Sequence, residues 1–120
     1  MGFYRERPVK AVRKARSCCG CGTIIEVGQP ALDCAGHYDG DFWADSYHIG
    51  CRAAECDMNE IHGAEEWIPL SEIDWEDFPW LIEAHPIVAK RMNITRERYD
   101  RIAEEQRRCH EAWRNRVPTR

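Results

Sequence analysis

The order of apolar and polar positions divides the chain into a β-rich first half and a helical second half. The stretch "TIIEVG" (23–28) is β-branched and ends at the turn signal "GQP", which predicts a strand. "ALDCA" (31–35) and "FWADSYH" (42–48) predict two further strands on either side of a turn. "GCRAAECDMNEI" (50–61) favours a short helix. Strands followed by helices indicate an α+β fold.

The second half predicts helices of two kinds. Ser71 followed three residues later by Asp74 resembles a capping box, which favours a helix start. Pro79 and Pro86 interrupt the pattern, so residues 71–94 are expected to form two or three short helical pieces.

The last segment predicts one long amphipathic helix with Thr95 as its N-cap. Its apolar positions recur at approximate helical spacing, and Cys109 among them is expected in a core or an interface. The members of this stripe are Tyr99, Ile102, Ala103, Gln106, Cys109 and Trp113.

The charge is unevenly distributed, although the net charge is only −4 over 120 residues. Residues 1–16 carry six Lys or Arg against one Glu, and residues 33–86 carry fourteen acids against one Arg. Residues 87–120 are basic again. The charge pattern predicts a basic, exposed N-terminal arm (1–16). We expect the rest of the chain to form a cysteine-containing, β-rich module (17–58) and an acidic-to-basic helical subdomain (59–120) packed on it.

The cysteine count and the absence of long apolar runs suggest the compartment. Seven cysteines occur, and neither a signal peptide nor an apolar run long enough to cross a bilayer is visible. A cytoplasmic location is expected. In a reducing compartment, clustered cysteines are more often metal ligands or redox groups than disulfides.

Two ligand pairs predict a metal site. Cys18 and Cys21 form C-x2-C, and His48 and Cys51 form H-x2-C. Glycines beside the first pair ease a tight knuckle, and an i, i+3 pair at a helix start faces one side. Three thiolates and one imidazole suit a closed tetrahedral Zn²⁺, so we expect one structural zinc. Cys19 is expected to point away from it.

The remaining Cys and His residues leave an alternative open. One interpretation is a second metal held by Cys34, His37, Cys56 and His62. The other is that Cys34 and Cys56 pack as small apolar side chains.

The run "ARSCCGCGTIIEVGQPAL … FWADSYHIGC", within residues 13–56, resembles a PARP-type zinc finger. It is also similar to small C-x2-C/H-x2-C finger proteins encoded by phages, and for a phage-encoded chain the expected cytoplasm is that of the host. The resemblance implies a treble-clef-like fold of knuckle, β-hairpin and short helix, here with a C-terminal helical extension. It also implies DNA binding, in which Arg13, Lys14 and Arg16 would contact phosphates.

The resemblance and the charge pattern leave two functions open. Neither is enzymatic, because four protein ligands would complete the coordination of the metal and no catalytic motif is visible. The first is nucleic-acid binding through the basic arm. The second is a phage-type regulatory or anti-defence protein that inhibits a nucleic-acid-handling host protein through its acidic, aromatic-rich middle. A homodimer is compatible with both, and the tryptophans of the middle segment are expected in the core. The acidic face would comprise Asp39, Asp41, Asp45, Asp74, Glu76 and Asp77.

Overall fold

The computed structural model describes residues 3–38, 40–63 and 65–116, and over these ranges the chain is an α+β protein. Its strands are β1 (Phe3–Val9), β2 (Arg16–Ser17), β3 (Ile24–Ile25), β4 (Ala31–Tyr38) and β5 (Asp41–Tyr47). Its helices are α1 (Ile49–His62), α2 (Phe78–Ala84), α3 (Pro86–Arg91) and α4 (Arg96–Arg116), with 3-10 turns at Leu70–Glu72 and Trp75–Asp77.

Strands β1, β4 and β5 form an antiparallel sheet in the order β1-β4-β5. Ala35 in the central strand pairs with Arg5 on one side and with Ala44 on the other. Pro8 lies in β1, at the edge of the sheet, where a missing N–H is tolerated. The expectation of an exposed arm is therefore wrong for the backbone of residues 3–9, although most of their side chains stay exposed.

Strands β2 and β3 form a separate two-stranded hairpin whose loop is the predicted knuckle. The N–H of Cys18 donates to the carbonyl of Thr23 at 2.8 Å, and the N–H of Gly22 returns to the carbonyl of Cys18 at 2.9 Å. Gly22 has φ 77°, a left-handed conformation that glycine adopts at little cost. The loop thus folds back on itself within five residues.

Helix α1 follows β5 directly and supplies much of the core. Cys51, Ala54 and Met58 are buried along one face, and Gly63 ends the helix in the left-handed conformation at φ 57°. This helix packs against the sheet, the first 3-10 turn and α3. One buried core joins the strands and α1 to the later helices. Its members are Val12, Cys18, Ile25, Ala31, Cys34, Tyr47, Cys51, Ala54, Met58, Leu70, Phe78, Leu81, Val88, Ala89 and Ile94.

The short helical pieces predicted over residues 71–94 are present, but the prolines begin helices rather than interrupt them. Pro79 and Pro86 occupy the first turns of α2 and α3, where a proline lacks no needed N–H. Ser71 caps no helix, because it lies inside a 3-10 turn. The carboxylate of Asp74 instead accepts the N–H of Glu76 at 3.0 Å.

Helix α4 begins as predicted, since the Thr95 hydroxyl accepts the N–H of Arg98 at 3.1 Å. None of its residues is buried. Tyr99 and Ile102 are partly buried against the core, but Trp113 is 63% exposed. Cys109 is also exposed, so its expected place in the core of this chain is wrong.

Candidate metal centre and its surroundings

The structure brings Cys18, Cys21, His48 and Cys51 together as a group that could hold one metal ion. The three Sγ atoms and a ring nitrogen of His48 all lie within 4.8 Å of one another. Nδ1 of His48 is 3.4 Å from Sγ of Cys21 and 3.7 Å from Sγ of Cys51. The knuckle supplies two donors, and the start of α1 supplies the other two.

Backbone N–H groups already stabilise a thiolate at Cys18. The N–H of His48 donates to its Sγ at 3.2 Å. A hydrogen bond from the Cys51 thiol, and then backbone N–H donors of the knuckle and His48, lower the pKa of Cys18 well below its usual range, against the opposing effect of burial. The pKa of Cys51 is raised because its proton is held by Cys18 and because it is buried. A metal replaces such a shared proton when it binds.

Two further side chains contact the ligand sulfurs, and sequence reasoning missed both. The hydroxyl of Thr23 is 3.0 Å from Sγ of Cys21. Nη1 of Arg91, in α3, donates to Sγ of Cys51 at 3.6 Å. Thr23 lies two residues from a predicted ligand, so its contact with Cys21 could have been predicted from the spacing. Arg91 is distant from Cys51 in sequence and contacts it only through tertiary packing. Donors of this kind orient and stabilise metal-bound thiolates.

The alternative of a second metal is not supported among the described residues, where the first cluster alone has the geometry. Cys34 is buried, in agreement with the packing interpretation, but Cys56 is exposed on α1. Nε2 of His62 is 2.7 Å from a carboxylate oxygen of Asp77. Cys19 is also exposed and no member of the cluster, as predicted.

The three basic residues before the knuckle differ in what they contact. Arg16 binds Asp33 at 2.9 Å and the Ser46 hydroxyl at 3.1 Å, so it ties β2 to the main sheet. Arg13 and Lys14 lie exposed in the bend between β1 and β2. Over the residues described, neither of these two makes an ion pair with a carboxylate.

The predicted acidic face is divided between two elements. Asp41 and Asp45 lie on β5, whereas Asp74, Glu76 and Asp77 lie around the second 3-10 turn. There Asp74 caps the turn and Asp77 binds His62. Asp39 lies outside the described residues.

A buried acid in α1, one turn beyond Cys51, accepts hydrogen bonds from three other residues, and no sequence pattern pointed to it. Glu55 in α1 is 1% exposed. Its carboxylate accepts from Nη1 of Arg52 at 2.6 Å, from the indole of Trp67 at 3.1 Å and from the N–H of Leu70 at 2.9 Å. These bonds satisfy the buried charge and hold residues 67–70 against α1.

The core prediction for the tryptophans holds only in part. Trp75 and Trp80 are half-buried against the core. Trp43 and Trp67 are 40% and 52% exposed, and both border a pocket beside the knuckle.

No protein-family model matches the chain, and neither a curated protein nor a solved structure gives a significant match. Among the helices of the described residues, none combines the length and apolarity required to span a bilayer.

Proposed function

We propose that the chain is a non-enzymatic, zinc-stabilised binding module that contacts nucleic-acid phosphates through Arg13 and Lys14. The observation that carries this proposal is the exposed basic pair in the bend that enters the knuckle, with no described carboxylate partner. Arg and Lys contacts to phosphate supply affinity without sequence specificity. Arg16 acts instead as a structural link, because its guanidinium is engaged by Asp33 and Ser46.

The donor set supports zinc as the metal. Three thiolates and an imidazole are ligands that Zn²⁺ prefers in tetrahedral structural sites. Zinc bonds of about 2.3 Å to sulfur and about 2.0 Å to nitrogen place donors about 3.5–3.8 Å apart. The His48 contacts of 3.4 and 3.7 Å match that spacing. Four protein ligands leave no open position for a reacting water, which supports a structural role for the ion.

The order of elements around the ligands supports a treble-clef-like, PARP-type finger. A knuckle hairpin (β2–β3) carries the first pair, a second hairpin (β4–β5) follows, and α1 carries the second pair at its start. A metal bound by both pairs would join the knuckle, which the basic bend enters, to the start of α1.

A salt titration tests the phosphate contact. Fluorescence anisotropy of labelled duplex DNA and single-stranded RNA should show binding that weakens between 50 and 200 mM salt, since phosphate contacts release counterions. Changing Arg13 and Lys14 together to Ala should reduce the logarithmic salt slope by about 2. The matched control changes Arg107 and Arg108 to Ala, since they are exposed on α4 far along the chain from the knuckle. No binding at 50 mM salt, or equal losses in both double variants, would overturn the proposal.

A second candidate function is supported by a different surface. Trp43 and Trp67 are exposed within the acidic segment 33–86, and both border the same pocket. Exposed apolar side chains that lie together often mark an interaction site. Exposed aromatic residues are favoured as anchors in protein interfaces. We infer on this basis a protein-binding role, such as inhibition of a nucleic-acid-handling host protein by a phage-type regulator.

A further inference from the structure

A pocket of about 460 Å³ lies beside the knuckle, in the size range of ligand sites. Its walls are largely aromatic, and they come from β1, β5, α1 and the segment that follows α1. The residues that matter for its chemistry are Tyr4, Trp43, Asp45, Tyr47, Arg52 and Trp67.

The cation in the wall of this pocket is already fully engaged. Arg52 is 13% exposed, and its Cζ lies 5.7 Å from the ring centre of Tyr4, 5.2 Å from that of Tyr47 and 5.0 Å from that of Trp67. Nε donates to Glu6 at 3.2 Å, Nη1 donates to Glu55 at 2.6 Å, and Nη2 donates to the Tyr4 hydroxyl. Arg52 therefore shows that these rings accept a guanidinium, while its own charge is balanced by two carboxylates.

The remaining charge in the pocket wall is negative. Asp45 lines the pocket from β5, and its carboxylate has no ion pair within the described part of the chain. Glu55 and Asp45 in the wall, together with Glu6, which lies outside the wall and pairs with Arg52, outnumber this single cation. The pocket therefore attracts a cation and repels an anion such as a phosphate. The exposed ring of Trp43 lies on the same strand, two residues from Asp45.

We propose that this pocket binds the guanidinium of an arginine side chain from a basic segment of a partner protein. A guanidinium is planar, stacks on aromatic faces and presents paired N–H donors to a carboxylate. Trp43 and Trp67 would supply the faces, and Asp45 would accept the donors. This inference deepens the second candidate function by naming the chemistry of its partner, and it does not depend on the phosphate contact of Arg13 and Lys14.

The test uses a short probe and its neutral isostere. The intact zinc-loaded chain is titrated with acetyl-Gly-Arg-Gly-amide and, separately, with the same peptide carrying citrulline, which keeps the shape but removes the charge. Binding is followed by NMR through the indole N–H signals of Trp43 and Trp67. We expect saturable shifts of both signals with the arginine peptide and binding at least about tenfold weaker with citrulline.

Two matched substitutions locate the carboxylate that takes part. Asp45→Asn keeps the volume of the side chain and should weaken binding at least about tenfold. Asp41→Asn, on the same strand but outside the pocket, should leave the affinity unchanged. Trp43→Leu removes a wall without touching the bonds of Glu55, and it should weaken binding as well.

Several outcomes would overturn the proposal. These are the absence of shifts at the two indoles, equal affinity for the citrulline peptide, or equal effects of the two Asn substitutions. Stronger shifts of the same signals by adenosine or guanosine monophosphate would make the pocket a nucleobase site instead. Loss of nucleic-acid binding in the Arg13 and Lys14 variant, with arginine binding kept, would affect only the phosphate proposal.

Discussion

The side-chain amide of Asn59 brackets the backbone of Ile68. Its Nδ2 donates to the Ile68 carbonyl at 2.8 Å, and its Oδ1 accepts the Ile68 N–H at 2.7 Å. The same Nδ2 is 2.8 Å from the carbonyl of Glu55, one turn earlier in α1. The Asn59 side chain thus makes the two backbone hydrogen bonds to Ile68 that a residue of a paired β-strand would make, although Asn59 belongs to a helix.

Asn59→Ala should lower the free energy of unfolding by about 1–3 kcal/mol, because both backbone groups of Ile68 lose a partner in a partly buried place. Urea unfolding measures the effect. Asn115→Ala is the matched control, since Asn115 is exposed near the end of α4, and it should change stability by less than about 0.5 kcal/mol. Equal stabilities for the two variants would show that the bracket contributes nothing.

Removing the metal should unfold at least residues 17–58, because binding free energy at such sites is folding free energy. Purified protein should contain one zinc per chain, and a chelator should abolish the helical and tertiary circular dichroism of that region. Cys51→Ser should lower both the zinc content and the melting temperature. Cys109→Ser, at an exposed thiol, should change neither. A melting temperature that the chelator leaves unchanged would contradict the zinc assignment.

Gly36 is required by the ring of Trp43. A Cβ at residue 36 would lie 2.4 Å from Cζ2 of that indole, so Gly36→Ala must displace the ring and should cost about 1–3 kcal/mol. At Gly50 a Cβ would meet Val88 at an ordinary 3.6 Å, so Gly50→Ala in α1 should stabilise by up to about 1 kcal/mol. Thermal melts and the tryptophan emission of the two variants compare them. Identical emission for Gly36→Ala and the parent would mean that the ring had not moved.

Stability should fall in acid partly through Glu6. Hydrogen bonds from Tyr4 and then Arg52 lower the pKa of this carboxyl, while burial acts the other way. A carboxyl with a lowered folded-state pKa stabilises the protein above its unfolded pKa of about 4.3, and this contribution disappears as the pH falls through the folded value. The melting temperature of Glu6→Gln should therefore lie below that of the parent at pH 7 and approach it as the pH drops below about 4. A difference that stays constant with pH would contradict this explanation.

The outer part of α4 should not contribute to the stability of the monomer. Ending the chain after Ala103 keeps Tyr99 and Ile102, the residues of this helix that pack on the core. Urea unfolding should then change by less than about 0.5 kcal/mol, whereas ending it after Asn93 also removes buried Ile94 and should destabilise clearly. A large loss with the longer chain, together with a concentration-dependent melting temperature in the parent, would indicate a homodimer through this helix.

The candidate metal ligands were predictable because their chemistry is local. Cys18 and Cys21 are close in sequence, as are His48 and Cys51, and each pair already fits the geometry of a knuckle or a helix start. The N-cap at Thr95 follows for the same reason, since it depends on one side chain and one nearby N–H.

What sequence reasoning missed depends on contacts between distant segments. The pairing of β1 with β4 was not visible, because charged and apolar residues are mixed in β1 and most of its side chains are exposed, as in a free arm. Glu55 was one acid among fourteen in an acidic segment, and only its bonds to Arg52, Trp67 and Leu70 explain its burial. The two exposed tryptophans, Trp43 and Trp67, were expected in the core because large aromatic side chains are mostly buried in folded proteins. The pocket that they border is formed by segments distant in sequence and could not be predicted.

The loop of residues 18–22 contributes to both the metal cluster and the aromatic pocket. Cys18 and Cys21 face the metal cluster, whereas Cys19 between them lines the aromatic pocket, and its N–H is held by the carbonyl of Ser46 at 2.8 Å. Occupancy of the two sites would then be thermodynamically linked, so that an arginine in the pocket tightens zinc binding and zinc tightens arginine binding by the same factor. The supply of metal would thereby set how much of the chain can bind the proposed arginine.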